Sequence, residues 1–344
     1  MKNVLLFLLF LFFAFPLFYF VYKFGDPDQI AHDFYHYYGL YDQFDVVHTK
    51  APFNMRFIGA FFIYLIHQLG IYYNTETRFD QYAHYMQEEV WFAAVFFNFL
   101  MVAATATLIT KLYTRYYTSS NNYDPLHGVL AGLVYLLGYG TMFFDLMPVT
   151  EAFSTFLFVV MLWFYHKHSY WLVPLLVVCV FQREFLLLLM VCMCLFYQNK
   201  ESTKYFKRIA IIASVLLLAY FFIRSRWFYN PELHHQTNIM AMLHQMQTLG
   251  VSATLMVKQS IISLNLFLIY LFVVGYKYFG NTPVYSKGFY TLIAMLGMAV
   301  VVTLAGGLGT NFGRMFYLAT PLLACLLVKE AASLSNRSGQ PTGN

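Results

Sequence analysis

Residues Tyr170–Gln198 read YWLVPLLVVCVFQREFLLLLMVCMCLFYQ, and whether this stretch runs straight or doubles back decides the fold. It is almost wholly apolar except at Gln182-Arg183-Glu184. Read as one segment, it is a long span with charges in its middle. Read as two, it is a tight hairpin that turns at those three residues. Of the 344 residues, 60% are apolar, 21% aromatic and only 11% charged. So few charges cannot cover a soluble domain, and composition places the chain among integral membrane proteins. Runs rich in Phe, Leu and Val recur along its whole length, as in helices rather than barrel strands. The expected fold class is all-α, a polytopic transmembrane helical bundle of about 9 to 11 spans.

The first segment, Lys2–Tyr22, is longer than a secretory h-region and no small-x-small site follows it, so it reads as an uncleaved anchor. Further spans are expected near Val90–Thr110, Leu126–Phe144, Ala152–Tyr165, Ile209–Ile223, Ile261–Gly275, Phe289–Ala305 and Phe316–Val328. Phe57–Ile71 is amphipathic and, at about 15 residues, short for a span, which suits a helix lying in the interface. Cationic residues arbitrate both ambiguities. With 170–198 as a hairpin and 57–71 on the surface, Lys111, Arg115, Lys167, Lys277 and Lys329 join the cluster Lys200, Lys204, Lys207 and Arg208 on the inner side. Both termini are then inside, and most acidic residues fall outside. The expected organisation is one transmembrane domain over residues 1–332, with an outer loop at 24–89 and a short cytoplasmic tail at 333–344. The four cysteines lie inside apolar runs without zinc spacing and read as small core hydrophobes.

Under this topology the unusual polar residues gather on, or just below, the outer face: the loop Gly25–Asp45, Arg56, Glu151, Arg183, Glu184, His234, His235 and Arg314. Ionisable groups flush against apolar runs are costly unless paired or hydrated, which makes them functional candidates; structural pairing or helix capping is the competing account. Within the loop, Asp26-Pro27-Asp28-Gln29 has the form of a helix start, with Asp26 as N-cap and Pro27 in the first turn. Asp26 and Asp28 also have the Asp-x-Asp spacing of a divalent-metal site, and His32 and His36 lie four apart; without a further ligand at a defined offset neither pattern makes a metal expected. Asp33 has no capping role. With His36 and Tyr37 on its flank it is placed to take a proton from a nucleophile, or else is a solvated surface acid. Arg56 opens the amphipathic segment, where a planar guanidinium suits a phosphate or simply reaches lipid headgroups. Arg314 follows Gly306-Gly-Leu-Gly-Thr-Asn-Phe-Gly, where glycines permit close backbone approach to a ligand.

The order of these features resembles the GT-C superfamily of polytopic glycosyltransferases: His-Asp33-Phe-Tyr-His-Tyr-Tyr after a first helix, Pro52-Phe-Asn-Met-Arg56 before an amphipathic helix, Thr150-Glu151 at a span start, Gln182-Arg183-Glu184 between short helices, and Arg314…Pro321 near the end. The resemblance implies transfer of a sugar from a polyprenyl-phosphate-linked donor to an acceptor on the outer, periplasmic face of a bacterial inner membrane. It implies inversion with a carboxylate base, by position Asp33, with Asp26 or Asp28 as substitutes. Arg56, Arg183 or Arg314 would hold the lipid phosphate, and Glu151, Glu184 and His36 would line the site. The residues after 332 read as a short tail, not as the C-terminal soluble domain that many such enzymes carry. No cofactor and no nucleic-acid partner are expected; membrane lipids are. The alternatives are a transporter or lipid flippase, which would show charges at broken helices and often internal repeats, and a non-catalytic membrane subunit of an envelope complex.

Overall fold

The computed structural model describes residues 2–25, 33–49, 53–73, 87–118, 125–197, 202–227, 253–279, 286–305 and 312–338. Among these every regular element is a helix, so the fold is all-α as expected. Helix α1 (Lys2–Phe24) is apolar all round. It buries Phe10, Ala14, Phe18 and Val21, spaced as one helical face, and leaves Phe12, Phe15 and Phe20 exposed. A helix that is greasy on its exposed side belongs in lipid rather than water. Its buried stripe packs on α4 (Glu88–Tyr116), with the Phe18 ring 4.9 Å from that of Phe99.

Helix α4 is buried through most of its length and is the axis of the bundle. Helix α5 (Pro125–Leu136) comes unusually close to it through Gly128 and Gly132. A Cβ on Gly132 would lie 2.7 Å from Thr110 Oγ1 and 2.8 Å from the Ala106 carbonyl oxygen. Two small residues four apart let helix backbones meet in this way, a common device where water is absent.

The opening stretch does double back. Helix α7 (Leu172–Val180) ends before Gln182, and α8 (Phe185–Phe196) leaves in the opposite direction. The direction follows from what each end touches. Helix α9 (Thr203–Trp227) starts beside the start of α7, where Tyr205 OH donates to the Ser169 carbonyl at 2.9 Å. The turn at Gln182 meets the first residue of α6 (Glu151–His166) and its neighbour Thr150. The end of α8 returns to the end of α6, where the rings of Tyr197 and His166 are 5.9 Å apart. The bundle thus has a charged end, at the starts of α4, α6 and α8, and an opposite end where those helices finish.

Helix α3 (Phe57–Gln68) stays at the charged end. Its partners there are Gln182, Phe97, Phe153 and Asp42, and Phe61, Phe62 and Leu65 keep an exposed apolar face. This is the form of the amphipathic helix expected from the sequence.

Two expected spans are broken. The 126–144 segment stops as a helix at Leu136, and Thr141–Asp145 forms a π turn. Thr141 Oγ1 donates back to the Tyr135 carbonyl oxygen, and its hydroxyl pairs with that of Tyr317. The buried Asp145 is what a continuous apolar helix could not accommodate; here it accepts from Tyr135 OH at 2.5 Å and Thr155 Oγ1 at 3.0 Å. After α10 (Ala253–Phe279) and α11 (Lys287–Ala305), the 316–328 segment is likewise interrupted, between α12 (Phe312–Tyr317) and α13 (Thr320–Ser338). Helix α10 holds α12 in place, with the Phe267 ring 5.2 Å from that of Phe316. Pro321 lies in the first turn of α13, where its missing N–H costs nothing. Helix α13 also takes in the beginning of the polar tail.

Three helices among the described residues are long and apolar enough to cross a membrane: Asn3–Phe24, Glu88–Tyr116 and Thr203–Arg224. Shorter apolar helices pack around them.

Candidate functional site

Helix α2 (Asp33–Asp42) buries Phe34, Tyr37, Leu40 and Tyr41, one face of a helix, at the charged end of the bundle. Phe34 meets the Trp91 ring edge-on, with centroids 5.2 Å apart. This packing fixes the rotation of α2 and brings Asp33 to Arg314 of α12. Arg314 Nη1 donates to Asp33 Oδ2 at 2.6 Å, and Arg314 Nε donates to Glu151 Oε1 at 2.7 Å. Arg183 Nη1 reaches the same Glu151 oxygen at 3.0 Å. One buried carboxylate oxygen therefore sits between two guanidinium groups.

A second pair lies alongside. Arg56 Nη2 donates to Glu184 Oε1 at 3.1 Å, and Arg56 Nη1 donates to Tyr37 OH at 3.3 Å. The Tyr37 hydroxyl is also 3.3 Å from Thr150 Oγ1, next to Glu151. Gln182 ties the backbone together: Gly59 N donates to its Oε1 at 2.9 Å, and its Nε2 donates to the Thr150 carbonyl at 3.0 Å. Adjacent residues of the α7–α8 turn thus serve different partners, Arg183 facing Glu151 and Glu184 facing Arg56. The pairing that the competing account expects is present, Arg183 with Glu151 and Glu184 with Arg56. Capping is not: Glu184 stands at the N-cap of α8 without a side-chain cap hydrogen bond.

Three arginines and three carboxylates leave the cluster formally neutral. Its accessibility is uneven: the Glu151 side chain is 0% exposed and Arg183 3%, whereas Asp33 is 27% and Arg314 17%. Glu184 is also 17% exposed, so the mouth runs from Asp33, its most exposed member, to Arg314 and Glu184. Burial works to raise the Asp33 pKa, but the Arg314 charge and hydrogen bond prevail and hold it below the usual carboxylate value. Arg56 Nε, Arg183 Nε and Glu151 Oε2 are buried and make no hydrogen bond among the described residues. Such unsatisfied groups are costly, and each retains the capacity to bind a further partner.

The structure thus brings together Asp33, Arg56, Glu151, Arg183, Glu184 and Arg314 from separate segments of the chain. His36 does not join them; it is exposed and stacks on Phe53 at 4.5 Å. Asp26, Asp28, His32, His234, His235 and residues 306–311 lie outside the described residues. Among the described residues no three His, Cys, Asp or Glu side chains gather as a metal-ligand set. Sequence reading missed Tyr37 as a bridge and Gln182 as an organiser. Gln182 carried a signal, being a neutral amide in the middle of an apolar run.

No family model, no curated protein and no solved structure matches the chain.

Proposed function

We propose that the protein is a membrane glycosyltransferase of GT-C type. It takes a sugar from a polyprenyl-phosphate-linked donor and passes it to an acceptor hydroxyl at the charged, outer end of the bundle, the periplasmic face of a bacterial inner membrane. The observation that carries this reading is the Asp33–Arg314 pair at the mouth of a buried three-arginine cluster. In the reaction, Asp33 takes the acceptor proton as the acceptor oxygen bonds to the sugar C1. The bond from C1 to the phosphate oxygen breaks, and the electron pair leaves with the polyprenyl phosphate. Configuration at C1 inverts. Arginines aimed at the leaving phosphate stabilise its charge, and preorganised cations shielded from water are the strongest aid such a site can give.

Because each arginine is already paired, phosphate enters by exchange: it takes Arg314 from Asp33, which frees the carboxylate as the base. An apolar cavity of about 420 Å³ between Phe20, Val21 and Phe24 of α1 and Tyr139, Met142, Phe143 and Met147 is of a kind that a prenyl chain could occupy, although none of the cluster residues lines it. The test is transfer from a labelled polyprenyl-phosphate sugar by the reconstituted protein, compared with Asp33→Asn. Wild-type protein inactive on every such donor would count against the reading.

One observation favours a transporter instead: helices α7 and α8 meet at a charged break inside the bundle, as discontinuous helices do at transport sites. Labelled lipid crossing sealed proteoliposomes without covalent change would select it.

A further inference from the structure

At the opposite end of the bundle lies a cavity of about 490 Å³ whose wall includes His166, His168, Tyr197, Lys287, Lys329 and Glu330. It is formed where α6 and α8 finish, where α11 begins, and beside α13. His168, Lys287 and Lys329 bring positive charge, actual or available, to its lining against one acid. The His166 ring forms a fixed wall: it lies nearly parallel to Tyr116, with centroids 4.9 Å apart, and shares a hydrogen bond with Tyr117 OH at 3.0 Å.

His168 supplies a second, independent observation. It follows α6 with φ 51°, the left-handed conformation that favours glycine. The helix end around it is made in the usual way, with His168 N donating to the Tyr165 carbonyl at 3.1 Å and Ser169 N to the Phe164 carbonyl at 3.1 Å. Its ring is oriented by Ser202 Oγ, 3.2 Å from Nδ1. The ring also packs on Tyr205 and Phe206, with centroids 5.6 and 5.2 Å away, which holds it in the cavity wall. Phe206 also lines the cavity, next to the exposed Lys204, Lys207 and Arg208 on the first turns of α9.

We propose that this cavity binds a phosphate ester between Lys287, Lys329 and His168, supplied by the headgroup of an anionic lipid in the leaflet at this end. Basic pockets among helix ends on the cation-rich side suit such headgroups. The tyrosine-lined wall accommodates the glycerol portion. This site is separate from the Asp33 cluster and does not rest on the transfer reading.

The experiment uses the full chain in detergent, titrated with phosphatidylglycerol, phosphatidylcholine or inorganic phosphate, with thermal unfolding and native mass spectrometry as readouts. Phosphatidylglycerol should raise the unfolding temperature and remain bound, while phosphatidylcholine does neither. K287Q/K329Q should weaken phosphatidylglycerol binding at least fivefold. H168G, which relieves the backbone strain but gives up the ring's packing on Tyr205 and Phe206, should stay folded without lipid, yet lose the lipid response. K204Q/K207Q, which removes neighbouring surface charge, should keep it. A matching shift with inorganic phosphate, with displacement of the lipid, would support the phosphate site with a soluble ester as its source. Equal responses to both lipids, or undiminished binding in both K287Q/K329Q and H168G, would overturn the proposal.

Discussion

Arg314 and Asp33, 281 positions apart in sequence, are joined by a 2.6 Å hydrogen bond at the accessible edge of the charge cluster. Asp33→Asn is nearly isosteric but cannot accept a proton at neutral pH. We expect it to lower transfer by about 10²- to 10⁴-fold, the usual worth of a general base, with donor retention close to normal. Arg314→Lys should also impair transfer, because a point charge cannot serve Asp33, Glu151 and a phosphate together. An active Asp33→Asn protein with normal turnover would remove the carboxylate from the chemistry.

The exchange of Arg314 from carboxylate to phosphate has a pH signature. In the free protein Asp33 is held below its ordinary pKa, so the stability it contributes is present above about pH 4 and is lost as pH falls through its folded value. Moving the guanidinium away and bringing an anion near both favour the protonated form. The acid limb of kcat, which reports the donor complex, should therefore lie at higher pH than that of kcat/KM, which reports the free protein. Coincident limbs would argue against the exchange.

Glu151→Gln should be the most destabilising conservative change in the cluster. Glu151 is fully buried and faces both Arg183 and Arg314. Neutralising it strands the buried Arg183 and leaves Arg314 with Asp33 alone, at a cost of about 3–5 kcal/mol. Adding Arg183→Met should recover part of the loss; thermal unfolding in detergent provides the comparison.

Tyr135→Phe tests the second buried acid. It removes the donor to Asp145 Oδ2 and leaves Thr155 donating to the other oxygen of that carboxylate. Leaving one buried oxygen unsatisfied should lower stability by about 1–3 kcal/mol without affecting Asp33-dependent activity. Unchanged unfolding would show that the carboxylate finds another donor.

Orientation can be read with an impermeant thiol reagent. Val47 is 85% exposed on the loop after α2, and all four native cysteines are buried. Val47→Cys should react from the outer side of intact cells, and Lys329→Cys only after permeabilisation. The opposite pattern would invert the molecule and place the arginine cluster inside.

The helical class, the 170–198 hairpin and a separate short helix after Arg56 were legible in the sequence because each rests on local composition. So were the three arginines and three acids of the charge cluster, since an ion flush against an apolar run advertises itself. The breaks after Leu136 and Tyr317 were not legible. The first depends on a buried contact between Thr141 and Tyr317, far apart in sequence; the second leads into a proline that suits a helix start as well as an interruption. Tyr37 was hidden as a tyrosine among many, whereas Gln182 stood out as an amide whose partners only the fold brings near.

The short helices α7 and α8 carry a further consequence. With 12 residues, α8 rises about 18 Å, whereas the hydrocarbon core of a bilayer is about 30 Å thick. With the end of α8 at one bilayer surface, Glu184 and Arg183 at its start would fall short of the other surface, in a well beside Arg56 and Tyr37. An anion entering that well moves part of the way through the membrane's electric field, which is worth about 2.3 kcal/mol per charge for each 100 mV crossed in full. Occupancy of the cluster by a phosphate should consequently respond to voltage, and a protein assayed in detergent will lack a driving force that it has in an energised membrane.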